Sequence, residues 1–219
     1  MSTTRYYNNY WEGKPDSTGW LNKPDIFNES AFLELLSKIY PYINAPLLDA
    51  GAGSGDTTNA LYRYLTQKKP KQKPDITAID VSSKAIKLLK KKNPNIKTII
   101  GDISNYNVPQ NQFRTITAFQ VVEHVLDTNK MFNFFNQHLQ PKGYLIITTT
   151  DFNLLKQIII AAFFWPKFFY PTNPHIRFYT RYTLESLAQQ HGFRLVSYTW
   201  DGHYFHLMPK GQLAIFQKI

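Results

Sequence analysis

Short apolar runs alternate with longer amphipathic stretches through most of the chain, and the two kinds repeat with different periods. Leu47 to Ala50, Ile76 to Ile79, Ile96 to Ile100, Thr115 to Val121 and Tyr144 to Thr149 are brief and mostly apolar, several of them rich in β-branched residues, which predicts strands. Between and around them the apolar positions fall at helical spacing. Phe27 to Tyr40 carries Ala31, Leu35, Leu36 and Ile39 on one face, with Asn28 and Ser30 available as caps. Thr57 to Leu65, Ser83 to Lys92, Asn129 to Leu139 and Leu184 to His191 also read as helices, the last one ended by Gly192. Phe193 to Thr199 and Gln212 to Gln217 are the closing strands, separated by Gly202 and by Pro209 to Gly211 with no helix between them, so they are expected to pair antiparallel. The pattern predicts an α/β fold with a seven-stranded, mostly parallel sheet covered by helices on both faces.

The chain has 219 residues, no internal repeat and no long Gly, Ser or Pro linker. A single domain of that length can bury roughly 70% of its unfolded surface. The absence of cysteine excludes disulfides, iron-sulfur clusters, thiolate metal sites and a thiol nucleophile, so any metal must be held by nitrogen and oxygen. Met1 to Gly13 is polar and aromatic and lacks the apolar core of a secretory signal. The longest strongly apolar stretch free of charge, Gln157 to Pro166, is well short of the roughly 20 residues of a spanning helix. A cytoplasmic protein, at most peripheral to a membrane, is expected.

A net charge of +10 raises nucleic acid or an anionic surface as a partner. Its distribution changes that picture. From Arg63 to Lys97 there are 11 Lys or Arg and 2 Asp, so nearly the whole excess belongs to one helix, the Lys68 to Pro74 loop (KKPKQKP) and the Lys-rich helix and strand start that follow. In a parallel α/β topology that loop enters the sheet from the end opposite the ligand crevice, which points to a solvated face or a peripheral anionic contact and not, by itself, to a nucleic acid substrate.

The candidate chemistry begins at LLDAGAGSGDTT, Leu47 to Thr58. It puts Asp49 near the end of a buried strand and Gly51, Gly53 and Gly55 in the turn before a helix, where side chains would block a ligand's approach to the backbone. A dinucleotide fingerprint would need Gly or Ala at position 56, and Asp56 there would repel a pyrophosphate. No Gly-Lys-Ser/Thr follows, so a phosphate-binding Walker loop is absent as well. Asp80 and Asp102 occupy the ends of the next two strands. An acid after the second strand can accept hydrogen bonds from both ribose hydroxyls, and Asp102 can read an exocyclic amine. Three carboxylates around one cleft suit a cationic nucleoside.

DAGAGSG, Asp80, GDI at Gly101 to Ile103 and FQVVEHV at Phe119 to Val125 together resemble the class I S-adenosylmethionine-dependent methyltransferases, from about Leu47 to the C-terminus. The resemblance implies a Rossmann-like methyltransferase domain over 46–219, preceded by an aromatic leader and helix over 1–45, with S-adenosylmethionine as cofactor. It implies Asp49, Gly51, Gly53 and Gly55 at the methionine moiety, Asp80 at the ribose, Val81 at the adenine face, Asp102 and Ile103 at the adenine edge, and Gln120 beside the methionine end. Val121 to Val125 (VVEHV) and His175 to Leu187 (HIRFYTRYTLESL) are similar to the branch that holds ubiquinone-biosynthesis O-methyltransferases and small-RNA 2'-O-methyltransferases. Parts of that branch hold a divalent metal through an E-x-x-E-H signature, whose first acid is here Gln120. Glu123, His124 and His175 remain as candidate nitrogen and oxygen ligands.

Alternatively Glu123 and His124 shape the loop, or His124 or His175 acts as a general base, since an imidazole titrates near neutrality. His124 is the leading base candidate. His191, at a helix end, reads as a helix-terminus residue. Two segments are expected to shape acceptor choice. Tyr6, Tyr7, Tyr10, Trp11 and Trp20 can form a lid. The apolar insertion 152–171, helical to about Phe164, either covers an acceptor pocket or contacts a membrane interface. The expected reaction is methyl transfer to an oxygen of a small hydrophobic acceptor, the rivals being RNA 2'-O-methylation and S-adenosylmethionine binding without turnover.

Overall fold

The computed structural model describes residues 3–12, 27–105, 111–169, 175–205 and 208–219, with the backbone alone at 167, 202–205 and 208. The elements in chain order are α1 (Thr3–Trp11), α2 (Glu29–Ile39), β1 (Leu47–Ala50), α3 (Asp56–Lys68), β2 (Ile76–Asp80), α4 (Ser83–Lys92), β3 (Lys97–Ile100), β4 (Phe113–Phe119), α5 (Thr128–His138), β5 (Leu139–Thr150), α6 (Leu154–Ile159), α7 (Trp165–Phe168), α8 (Arg181–Gln190), β6 (Phe193–Phe205) and β7 (Met208–Lys218). A π-helical turn, Ile160–Phe164, joins α6 to α7, and short 3-10 turns occupy Tyr40–Tyr42 and Val122–His124.

The seven strands form one sheet in the order β3-β2-β1-β4-β5-β7-β6. β1 to β5 are parallel, and β7 runs antiparallel to both β5 and β6. The expected architecture is therefore present. Alternation along each buried strand splits the core into two layers. Leu48, Ala50, Ile79, Leu145, Ile147, Ala214 and Phe216 pack with Phe132 and Phe135 of α5 and Leu184 of α8. Leu47, Ile76, Ala78, Ile146, Leu213 and Ile215 pack with Leu35, Leu36 and Ile39 of α2, Leu61 of α3 and Leu89 of α4. Period-2 side-chain direction is the physical reason that one strand feeds both layers.

Several boundaries differ from the sequence reading, each for a local reason. β4 stops at Phe119, two residues before the expected Val121, because Gln120 takes φ +54 and bends the chain into the 3-10 turn. α8 begins at Arg181 because Thr180 caps it and Thr183 returns a hydrogen bond to the cap, a capping box built from two threonines. The β6–β7 hairpin is longer than expected and pairs out to Phe205 and Met208. The apolar insertion continues helically through Phe168. Trp20 lies outside the described residues.

Asp49 sits on the α3 side of β1 with 1% exposure. Its two oxygens accept from the Thr58 hydroxyl of α3 at 2.6 Å and the Thr117 hydroxyl of β4 at 2.7 Å, so one side chain joins three elements. Burial pushes its carboxyl up to about 6, against the two hydroxyl donors. A folded-state value above the unfolded one means that folding favours the protonated form, so this group's contribution to stability is present in acid and lost as pH rises from about 4 through about 6. Asp49→Asn keeps the shape, and the Thr117 hydroxyl can turn to the Leu48 carbonyl at 3.4 Å while accepting from the amide. The variant should melt on the order of 5 °C above the parent at pH 8, with the difference shrinking towards pH 4.5; thermal midpoints at the two pH values check this.

Candidate active site

The glycine turn after β1 lies against the end of β2. The Ile79 carbonyl accepts from both Gly51 N at 2.8 Å and Ala52 N at 3.1 Å. Gly51, Gly53 and Gly55 take φ values of +71, +54 and +80, the left-handed region that side-chain-bearing residues avoid. Space is closed to a side chain as well: a Cβ on Gly51 would meet Val121 Cγ2 at 2.5 Å, and one on Gly53 would meet the Trp11 ring at 2.8 Å. The turn thus presents bare backbone to the cavity at 51 and 53.

Asp80, at the C-terminal end of β2, accepts from Gly53 N at 2.9 Å and from Ser82 N at 2.8 Å. Burial raises its carboxyl above the ordinary range despite these two bonds. A carboxylate offers about four lone-pair sites, so two remain for hydroxyl donors. Asp102, after β3, accepts from both the N–H and the hydroxyl of Ser104.

One cavity of about 1240 Å³ opens at this strand end, and Gly51, Gly53, Asp80, Val81, Asp102, Ile103 and Gln120 all line it. Asp49 and Gly55 do not. Asp49 is turned into the core as described, and Gly55 is the N-cap of α3, packed against Leu89. Neither faces the cavity, a correction to the expectation that these two residues face the methionine moiety.

The same cavity is lined by His124 and His175. These residues, remote in sequence, meet because the chain after position 174 is strapped to the turn after β4. Ile176 N and Arg177 N both donate to the Glu123 carbonyl, and the Arg177 guanidinium donates to the Val125 and Leu126 carbonyls. The two imidazole rings lie 4.8 Å apart, centre to centre. Glu123 is buried behind them at 1% exposure, with neither carboxylate oxygen within hydrogen-bonding distance of a partner. Burial pushes it up to about 7. One ligand atom from each of Glu123, His124 and His175 falls within 4.8 Å of the others, a set of one oxygen and two nitrogens that can hold a divalent cation.

Two contributors were not evident from sequence. Asn8 of α1 accepts from the Ser82 hydroxyl at 2.7 Å, while that same hydroxyl caps α4 by accepting from Ala85 N. With a Glu12–Lys84 ion pair at 2.7 Å, this holds α1 across the cavity, and Tyr6, Tyr7, Tyr10 and Trp11 line it. Burial, with neighbouring tyrosines and acids, holds the Tyr7 hydroxyl well above its usual range and therefore protonated. Of the five aromatics expected to form a lid, the four within the described residues line the cavity. Lys156, the second contributor, is one of two lysines in the apolar insertion that follows Asp151. Its ammonium is buried and donates to the carbonyls of Asp151, Pro209 and Lys210 at 2.9, 3.0 and 3.3 Å, tying α6 to the β6–β7 hairpin.

The model of a family described as a methyltransferase domain matches residues 27–198. The chain belongs to the methyltransferase domain family. Its cofactor is S-adenosylmethionine, and the cleft fits that group: two left-handed glycines form a cradle that a Cβ would fill, and Asp80 and Asp102 face it with carboxylates suited to a cationic nucleoside. No curated protein sequence matches the chain. Among solved structures, the N-methyltransferase NodS from Bradyrhizobium japonicum with S-adenosyl-L-homocysteine superposes with a TM-score of 0.67 at 15% identity, over 100% of this chain and 99% of that one. Magnesium protoporphyrin IX methyltransferase from Synechocystis PCC 6803, also with the homocysteine product, gives 0.67 at 12% identity over 99% and 98%. A methyltransferase from Methanosarcina mazei gives 0.64 at 18% over 83% and 97%. At these identities the likeness is one of fold.

Because Asn8 links α1 to the cap of α4, Asn8→Ala should weaken S-adenosylhomocysteine binding by roughly three- to tenfold while leaving the ligand-free melting point nearly unchanged. Titration calorimetry and a thermal melt of the same preparation check both halves.

Proposed function

We propose that this methyltransferase domain transfers the methyl group of S-adenosylmethionine to an oxygen of a small, largely apolar acceptor of phenolic, lipid-like or natural-product character. The observation that supports this most is the continuity of one cavity, in which the donor-side residues, the His124–His175 pair and an apolar wall of Ile159, Ile160, Phe164 and Phe168 line the same space. The donor supplies an already electrophilic methyl on a sulfonium, so the protein's tasks are in-line placement at roughly 3 to 3.5 Å, exclusion of water and removal of one proton. In this reading Asp80 accepts the ribose hydroxyls, Val81 packs on the adenine face, Asp102 and Ile103 take its edge, and Gln120 stands at the methionine end.

His124 takes the acceptor's hydroxyl proton as the oxygen lone pair forms the new carbon–oxygen bond and the sulfur keeps the electron pair of the bond that breaks. His175, against the other ring, positions it. α1 serves as the cover over the site and the segment after β5 as the acceptor wall. A second reading is favoured by the unpartnered buried carboxylate of Glu123: a divalent cation held by Glu123, His124 and His175 would draw the acceptor oxygen in and lower its pKa.

Asp80→Ala should weaken S-adenosylhomocysteine binding at least tenfold by calorimetry, and unchanged binding would overturn the donor assignment. In an acceptor screen run with and without EDTA, His124→Ala should reduce kcat by roughly 10² to 10⁴ with the donor KM little changed. Turnover that survives chelation assigns His124 as the base, whereas turnover lost on chelation and restored by Mg, Mn or Zn assigns the cation.

A further inference from the structure

The helical segment 154–168 has two apolar sides. Ile159, Ile160 and Phe168 are turned to the cavity and Phe164 sits at its rim. Leu154, Ile158, Phe163 and Trp165 are turned outward, with exposures of 71, 58, 77 and 56%. So large a run of exposed apolar side chains on one element is unusual for a surface with no partner. Lys156 clamps the segment to the β6–β7 hairpin, so the outward side is held in place and is not a frayed end.

The charge around this face is positive on balance: besides the inward-turned Lys156, residues 152–184 contain Lys167, Arg177 and Arg181, Arg177 and Arg181 are exposed, and the neighbouring acids Glu185 and Asp127 are met by Arg181 at 3.9 Å and Lys130 at 3.3 Å. Leu126 and Ile176, joined through the Arg177 strap, add exposed apolar side chains beside the cavity mouth. No helix among the described residues is long and apolar enough to cross a membrane. Aromatic and aliphatic groups on a short helix, with cations in excess about them, match the interfacial mode, in which a helix lies in the headgroup region.

We infer that the outward side of 154–168 docks the protein on an anionic phospholipid surface, and that a lipophilic acceptor passes from that surface along Phe164 into the cavity. The second clause rests on the methyl-transfer reading; the docking itself does not.

The test is co-sedimentation of the full chain with phosphatidylcholine vesicles, with and without phosphatidylglycerol. The protein should sediment with the phosphatidylglycerol vesicles, less so at high salt. Ile158→Glu/Phe163→Glu should lose roughly tenfold or more of vesicle affinity while its melting point and S-adenosylhomocysteine affinity stay at parental values, since neither residue lines the cavity. Parental protein that stays in the supernatant with anionic vesicles, or a double variant that sediments as the parent does, overturns the proposal. A dimer by light scattering that dissociates in the double variant, with no vesicle binding, assigns the face to a second copy and overturns it too. Failure of the homocysteine to bind the parent would strike the methyl-transfer reading and leave the sedimentation result standing.

Discussion

The site depends on one buried carboxylate. Asp80 ends β2, and by accepting from Gly53 N and Ser82 N it fixes the glycine turn after β1 against the start of α4. The Ile79 carbonyl holds the turn at Gly51 and Ala52, and Asp80 fixes it further on, at Gly53. Burying a carboxylate carries a cost, visible in the upward shift of its pKa, and two backbone donors offset that cost only in part. The remaining deficit favours a ligand that brings further donors. A ribose with two adjacent hydroxyls does so, whereas a phosphate group would bring charge of the same sign. Ser82 extends the arrangement outward, since its hydroxyl caps α4 and also binds Asn8. In the proposed reading, donor recognition and the cover above it thus share one short hydrogen-bonded chain.

What was legible in the sequence was what is local. The alternation of strands gave the sheet because period 2 in a buried strand reflects two covering layers, and the three glycines gave the turn because their backbone angles exclude other residues. The strand-end acids Asp80 and Asp102 follow from the same logic. The pairing of His124 with His175 has no local signature, because it is made by backbone hydrogen bonds from Ile176 and Arg177 to Glu123. Asn8 was hidden for the same reason, its partner being 74 positions away. Lys156 did leave a trace as a cation near the start of an apolar run, but only the three carbonyls around it show that its charge is turned inward. Asp49 misled in the opposite way: its place beside the glycines suggests the ligand, while Thr58 and Thr117 claim both its oxygens for the core.

The net charge separates from the chemistry once positions are known. Arg63, Lys84, Lys92 and Lys97 from the basic stretch pair with Glu29, Glu12, Asp56 and Asp75, and no residue between 63 and 79 or between 84 and 97 lines the cavity. The cavity's own cations, Lys130, Lys156 and Lys210, come from other parts of the chain. A polyanionic substrate would need the basic surface and the reacting centre side by side, and here the basic stretch belongs to the β3 edge of the sheet.

The walls of the cavity differ in how firmly they are built. The donor wall is made from strand ends and a turn whose backbone angles and packing leave no alternative. The cover, α1, has no fully buried residue and is held by Asn8, by one ion pair and by aromatic edge contacts such as Tyr7 on His124. Such contacts can open without disturbing either core layer, so the free energy of opening is small compared with that of unfolding. Methyl transfer requires this asymmetry. The donor must be held to within fractions of an ångström, yet both it and its product must enter and leave a site that excludes water while the bond is made. For the proposed methyl transfer, a rigid glycine cradle beneath a polar-tethered aromatic cover would meet both demands, with exchange paced by α1 and not by the sheet.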